Sequence, residues 1–159
     1  MKRVSVLAGV LAFFTTQAIA QDAVTAPDVA HNEQRIVVAD GTFQASSHYP
    51  QQGSGYFTIR NDDGNDHLLK GITSPVCTTV MAHHTDQEQT PGANDLFNHL
   101  ALPPNSTMIF PPAGYHLLCE GVTSMPPTGS HVPFTFHFLK GSDITVSFTV
   151  TAPDPNSFD

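Results

Sequence analysis

The sequence contains no tryptophan, only two cysteines and only six basic residues among 159. Fourteen acidic residues give the chain a formal charge of −8 at pH 7. Because nucleic-acid binding relies on clustered Lys and Arg side chains that neutralise phosphates, this shortage excludes a general nucleic-acid-binding protein. Charged residues make up 13% of the chain against 40% hydrophobic ones, so the composition predicts a packed core and not a disordered chain.

Long apolar runs are also missing, and no stretch outside the first twenty residues approaches the roughly 18 apolar residues that a transmembrane helix needs. The N-terminal segment combines Lys2 and Arg3 with the short apolar run 4–14 and ends in Ala18-Ile19-Ala20. This pattern is typical of a secretory signal peptide. We predict that residues 1–20 are cleaved after Ala20, with an uncleaved anchor as the alternative, and that the mature protein is periplasmic or secreted and has no membrane span.

The two cysteines, Cys77 and Cys119, would enter an oxidising compartment after export. Cysteines of small domains tend to pair there, so a disulfide is favoured. The alternative is a pair of buried thiols that pack as small hydrophobic side chains.

Thirteen prolines and eleven glycines divide the chain into segments that are too short for a helical bundle. Segments rich in β-branched and aromatic residues predict seven strands, at 35–39, 55–60, 77–83, 107–110, 116–119, 132–138 and 144–151. Their spacing favours a single all-β domain, a sandwich or barrel, over residues 35–151. Residues 21–34 are predicted to form a flexible leader and residues 152–159 a flexible tail.

Residues 131–138 alternate, with apolar side chains at the even positions and polar ones or proline at the odd positions. We predict that the even positions face the core, and that His131 and His137 face solvent and bind no metal. The even positions of 144–150 follow the same pattern and are also predicted to be buried.

Nine histidines in an acidic, exported chain are its most suggestive chemical feature, because neutral imidazole is a common metal ligand. His31, His48 and His67 lie in leader or turn segments and are predicted to be ordinary surface residues. In the segment Val-Met-Ala-His-His-Thr at 80–85, alternation places the thioether of Met81 and the imidazole of His83 on one face of a strand. Such a ligand pair suits copper, whereas the alternative is a Met81 in the core and a hydrogen-bonded His83.

Sequence patterns of enzymes and electron-transfer copper proteins are missing. A blue-copper site needs two His and a Cys with a weak axial ligand, but no His lies between Cys119 and Met125. The chain has no His-x-His pair of the superoxide dismutase kind, no Gly-x-Ser-x-Gly and no His-Glu-x-x-His. We therefore predict that the protein is not an enzyme.

Several segments, in order, resemble the PCuAC family of periplasmic copper chaperones. They are Gly-Tyr-Phe-Thr-Ile-Arg-Asn at 55–61, Asp-His-Leu at 66–68, Ser-Pro-Val at 74–76, Val-Met-Ala-His-His-Thr at 80–85, Leu-Pro-Pro at 102–104, Gly-Tyr-His at 114–116 and Val-Pro-Phe-Thr-Phe at 132–136. The resemblance extends over residues 55–150. It implies a cupredoxin-like fold, a Greek-key β-sandwich or barrel in one domain.

The resemblance also implies a copper site, because proteins of that family hold copper(I) with two His and two Met. The two His positions correspond to His83 and His116, whereas the Met positions correspond to Asn94 and Leu118. Loss of two thioethers is expected to weaken the preference for copper(I) and to shift the site toward imidazole and oxygen ligands. Such an imidazole-rich site would suit copper(II) or zinc better than copper(I). The candidates to complete the ligand set are His84, His99, Met81 and Asn94.

These observations predict a monomeric metallochaperone that binds copper through the surface residues His83 and His116 and passes it to a cuproprotein by ligand exchange. The resemblance implies a cytochrome oxidase copper centre as the recipient. The alternative is a binding or interaction module of the same fold that has lost its metal. The first hypothesis requires that two imidazoles far apart in the sequence converge at one rim of the fold.

Overall fold

The computed structural model describes residues 35–85 and 93–154. The predicted signal peptide, the predicted leader and the last five residues of the predicted tail lie outside the described residues. The described part contains nine β-strands and one short 3-10 helix, Ala93–Asn98, which lies between β4 and β5. The strands are β1 (Ile36–Ala45), β2 (Gln52–Asn61), β3 (His67–Thr73), β4 (Thr79–His84), β5 (Leu100–Leu102), β6 (Ser106–Phe110), β7 (Tyr115–Glu120), β8 (His131–Phe138) and β9 (Ile144–Thr151).

All nine strands belong to one sheet in the order β4-β7-β2-β1-β9-β8-β3-β5, and β6 pairs with β2 beside this path. Neighbouring strands are antiparallel except β1 and β9, which are parallel. The all-β architecture predicted from the short segments is therefore confirmed. The order places β4 at one end of the path and β7 between β4 and β2.

The core is rich in phenylalanine, and its centre is formed by Phe43, Phe134 and Phe148, which are fully buried. The ring centroids of Phe134 and Phe148 are 4.6 Å apart, and those of Phe43 and Phe134 are 5.6 Å apart. Aromatic rings at such distances contribute both buried apolar area and favourable ring contacts. These rings come from β1, β8 and β9, so the core fixes the middle of the sheet.

Alternation predicted the inward faces of β8 and β9 well. All four even positions of β8 are buried, and His131 and His137 lie on its outer face. In β9, Phe148 and Val150 are buried, whereas Ile144 and Val146 are half-buried.

Two strands were missed by the sequence analysis, β3 and β5. The register of β3 against β8 shifts between Leu69 and Gly71, so the apolar positions of β3 do not alternate simply. Strand β5 has only three residues, too few for a visible pattern. The prediction that His67 is an ordinary surface residue of a turn is wrong, because it begins β3, is half-buried and contacts Asp63.

The turn between β2 and β3 is held by Asn61, whose side chain is fully buried. Its Nδ2 lies 2.7 Å from the carbonyl of Asn65 and 3.0 Å from those of Leu102 and Pro103. Its Oδ1 accepts a hydrogen bond from the backbone N–H of Asp63 at 3.1 Å. A buried amide that is satisfied in this way fixes the turn against the end of β5.

Asp63 in the same turn is expected to make the fold sensitive to acid. Its carboxylate accepts hydrogen bonds from the backbone N–H of Asn65 at 2.7 Å, from His67 Nε2 at 2.6 Å and from the backbone N–H of Arg35 at 3.3 Å. These bonds, with that of Asn65 the largest, lower the pKa of Asp63 below its ordinary value. The charged carboxylate therefore stabilises the fold above the unfolded-state pKa of about 3.9, and this stabilisation is lost as the pH falls through the lower folded-state pKa.

We expect Asp63→Asn to lower the melting temperature at pH 7 by several degrees, because an amide cannot accept all these bonds. Since the variant has no carboxylate to protonate at this position, its melting temperature should fall less than that of the wild type between pH 5 and pH 2. Thermal unfolding followed by circular dichroism measures both effects. Asp66→Asn, at an exposed neighbouring position, is the matched control. Equal stability losses in the two variants at pH 7 would contradict the stabilising role of the Asp63 carboxylate.

Candidate metal site

The antiparallel pairing of β4 and β7 determines which side chains meet at the edge of the sheet. His83 lies directly opposite His116, and Met81 lies directly opposite Leu118. Because side chains alternate along a strand and opposed residues share a face, these four residues lie on one face of the two-stranded ladder. The predicted convergence of the two imidazoles is therefore present.

The two imidazole rings are close enough to act together. Their centroids are 5.3 Å apart and their planes make an angle of 67°. Metal–nitrogen distances of about 2.0–2.1 Å are typical of imidazole ligands, so rings at this separation can both reach one ion.

The two histidines differ in exposure: His116 is fully buried, whereas His83 is half-buried. The expectation that both are surface residues is wrong for His116. The reason is the strand order, because β7 has neighbours on both sides and β4 lies at the end of the sheet path. An ion would therefore approach from the side of His83, and His116 would hold it from within.

Hydrogen bonding determines which nitrogen of His116 can bind a metal. Its Nδ1 lies 3.0 Å from the backbone carbonyl of Gly114. Since a carbonyl only accepts hydrogen bonds, Nδ1 carries the proton and the lone pair of the neutral ring lies on Nε2, which is buried. A ring oriented by a backbone carbonyl in this way is typical of metal-binding histidines.

The turn before β7 is connected to the end of β4 through Thr85. The backbone N–H of Thr85 donates to the carbonyl of Gly114 at 3.4 Å, and its hydroxyl donates to the carbonyl of Pro112 at 2.5 Å. The carbonyl that orients His116 is therefore itself held in place by the residue that directly follows the strand carrying His83.

Sequence reasoning missed Tyr56, which lies beside His116, and Gln44, which bonds to Tyr56. The ring centroid of Tyr56 lies 5.5 Å from that of His116, and Gln44 Nε2 donates to the Tyr56 hydroxyl at 3.1 Å. Both residues are buried, Gln44 on β1 and Tyr56 on β2. Tyr56 contacts the imidazole from the side away from β4, Gln44 holds the Tyr56 hydroxyl, and only the strand pairing reveals this.

Two of the remaining predicted ligands are less well placed. His84 faces the opposite side of the ladder, where its ring centroid lies 4.8 Å from that of Tyr115. His99 follows the 3-10 helix and is exposed. Asn94 belongs to the 3-10 helix, which packs against β4. Within residues 35–85 and 93–154, no group of three or more His, Cys, Asp or Glu side chains could hold a metal ion.

Cys77 and Cys119 form a disulfide, with an S–S distance of 2.06 Å and a Cα–Cα distance of 5.3 Å. The predicted pairing is confirmed. Cys119 is opposite Val80, on the core side of the same ladder that carries the two histidines on its other face. The bridge therefore links the segment before β4 to β7 and supports the register that places His83 opposite His116.

Solved structures with the same fold include PCuAC domains. The copper-bound PCuAC domain from PmoF2 is 23% identical with a TM-score of 0.61, over 74% of this chain and 93% of that domain. The apo PCuAC domain from PmoF1 is 17% identical with a TM-score of 0.62, over 77% and 98%. The solution structure of copper(I)-bound DR1885 from Deinococcus radiodurans is 19% identical with a TM-score of 0.57, over 86% and 89%. These likenesses confirm the predicted cupredoxin-like fold.

Comparison with known sequences gives a match to a family model but none to a curated protein sequence. No helix among the described residues is both long and apolar enough to cross a membrane. The disulfide and the description of the matching family fit an extracytoplasmic location. The family model described as "Putative lipoprotein LpqE-like" matches residues 36–150, and the chain belongs to this LpqE-like family.

Proposed function

We propose that this protein binds a copper ion between His83 and His116 and delivers it to a cuproprotein outside the cytoplasm. The observation that carries this proposal is the cross-strand pair of imidazoles, with ring centroids 5.3 Å apart and one ring oriented by a backbone carbonyl. The copper-bound forms of two proteins of the same fold support the choice of metal.

Met81 is the best-placed third ligand. It lies two residues before His83 on the same face of β4, and it is half-buried. Its thioether is the only sulfur on that face of the β4–β7 ladder. The residue opposite Met81 is Leu118, and the next pair on this face is His83 and His116. Thioether ligands favour copper(I), whereas imidazole alone also suits copper(II) and zinc. We therefore assign copper(I) as the metal that this protein carries.

The exposure of the ligands suggests how the ion is transferred. His116 is buried on an internal strand, so it stays in place during transfer. His83 and Met81 lie on the end strand, where a ligand of the recipient can approach and replace them one at a time. Such stepwise exchange needs no open cavity. The recipient proposed is a cuproprotein, with a cytochrome oxidase copper centre as the class implied by the sequence resemblance.

The test is a titration of the purified protein with copper(I), copper(II) and zinc, each in competition with a chelator of known affinity. We expect one equivalent of copper(I) to bind more tightly than the other two ions. Absence of copper binding under competition would overturn the proposal and leave the alternative, an interaction module of the same fold.

Replacing the thioether is expected to change the metal preference. In Met81→Leu, the affinity for copper(I) should fall on the order of tenfold or more, about 1.4 kcal/mol for each factor of ten, because a soft ligand is lost while the volume is kept. The affinities for copper(II) and zinc should change less.

Met108→Leu is the matched control for Met81→Leu, because Met108 is also a half-buried strand residue but lies on β6. It should bind copper(I) as the wild type does. Unchanged copper(I) affinity in Met81→Leu would show that the two histidines act without this sulfur.

A further inference from the structure

A second group of chemically reactive side chains lies on the outer face of the sheet, where β3 and β8 pair. The hydroxyl Oγ1 of Thr73 is 2.8 Å from Nε2 of His137, and Nδ1 of His137 is 2.7 Å from Oδ2 of Asp143. Thr73 ends β3, His137 belongs to β8, and Asp143 immediately precedes β9. The three side chains form a hydrogen-bonded chain of hydroxyl, imidazole and carboxylate.

The direction of the hydrogen bonds follows from the carboxylate. An ionised Asp143 has no proton to give, so Nδ1 of His137 donates to it. The lone pair of the neutral imidazole is then on Nε2, and the Thr73 hydroxyl donates to it. A hydroxyl whose proton is directed at an oriented imidazole is the arrangement that activates Ser and Thr nucleophiles.

The surface beside Thr73 has room for a small ligand. Gly71 lies directly opposite His137, two residues before Thr73 and on the same face. A Cβ atom at Gly71 would meet only Asn98 Oδ1, at 3.7 Å. The space over Gly71 is therefore bordered by Thr73, His137 and the Asn98 carboxamide, which also donates to Asp95 at 3.1 Å.

We propose that Thr73 is an activated nucleophile that takes an acyl group from activated carboxylic esters. Oγ1 of Thr73 forms a bond to the carbonyl carbon of the ester while Nε2 of His137 takes the hydroxyl proton. The tetrahedral intermediate then expels the alcohol or phenol portion, to which His137 returns the proton, and the acyl group remains on Thr73. Asp143 is a positioning residue that holds the tautomer of His137.

This site is independent of the copper proposal, because its residues lie on β3, β8 and the β8–β9 loop and not on β4 or β7. The motifs whose absence predicted a non-enzyme are local sequence patterns. This group is assembled from three separate segments, so no such pattern would reveal it.

The probe for the site is p-nitrophenyl acetate, applied to the full chain without added metal. We expect release of p-nitrophenolate and an acetyl group on the peptide that contains Thr73, located by tandem mass spectrometry. Thr73→Val should remove that adduct, and Thr73→Ser should retain it. His137→Gln should slow its formation on the order of 10- to 100-fold, because the general base is lost.

Thr145→Val is the matched control, since Thr145 is an exposed threonine of the same outer surface whose hydroxyl bonds to Thr135 at 2.9 Å and not to a histidine. In this variant, Thr73 should be acetylated by p-nitrophenyl acetate at the wild-type rate. Acetylation confined to lysines, or a Thr73 adduct formed equally fast in His137→Gln, would overturn the proposal.

Asp143 requires a readout that a structural role would not change. Asp143→Asn should slow acetylation of Thr73 while the melting temperature stays unchanged, and Asp143→Glu should restore part of the rate. Equal rates in wild type and Asp143→Asn would remove Asp143 from the site. Because the assay uses no copper, its failure leaves the metal titration unaffected.

Discussion

Replacing His83 by alanine and His116 by phenylalanine is expected to weaken copper(I) binding by at least about 100-fold, or roughly 2.7 kcal/mol, because both imidazole ligands are lost. Phenylalanine is chosen at position 116 because the site is fully buried and faces Tyr56, so a small side chain there would leave a cavity. The carbonyl of Gly114 keeps its hydrogen bond from Thr85 in this variant. Competition with a chelator measures the change.

The control for this double variant removes two histidines elsewhere. His48 and His131 are exposed, and replacing both by alanine should leave copper(I) binding unchanged. If the double variant at 83 and 116 bound copper(I) as tightly as this control, the metal would have to lie outside the β4–β7 ladder. Circular dichroism of each variant establishes that the sheet is intact.

Replacing Cys77 and Cys119 by alanine is expected to lower the free energy of unfolding by about 4 kcal/mol in the chain-entropy description. The disulfide joins residues 42 positions apart, so its loss frees a long loop in the unfolded chain. Denaturant unfolding of the oxidised protein and of the variant gives this difference. A single small domain has a stability of about 5–15 kcal/mol, so the change is a large part of the total.

The wild-type protein with its disulfide reduced is the matched comparison for the cysteine variant. Its unfolding midpoint should lie close to that of the double alanine variant and well below that of the oxidised protein. Coincident midpoints for the oxidised protein and the variant would show that the bridge adds no stability. We also expect weaker copper(I) binding after reduction, because the bridge supports the register of β4 against β7.

Sequence reasoning located the proposed metal ligands only in part, and strand order explains the difference. Alternation correctly placed Met81 and His83 on one face of a strand. The pairing of His83 with His116 came from the family resemblance, because nothing local connects two segments so far apart. The burial of His116 follows from the position of β7 between β4 and β2, which is a property of the whole sheet.

For the fold, too, local alternation could be predicted from the sequence, whereas the pairing of strands could not. The alternation of β8 predicted its buried face correctly, because the strand is regular and buries only one face. The sequence of β3 showed no such alternation, since the register of this strand shifts near Gly71. The chain of Thr73, His137 and Asp143 depends on that same irregular pairing, so it could be seen only after the strands were placed.

The parallel pairing of β1 and β9 joins the first strand of the sheet to the last, with Thr42 beside Thr149. A contact this distant in sequence forms late, because a long stretch of chain must be ordered before it can close. A growing polypeptide that emerges N-terminus first thus cannot complete its sheet until the final strand has been synthesised. Until then the edge of β1 that β9 covers has no partner strand, so the sheet stays open while most of the chain is being made.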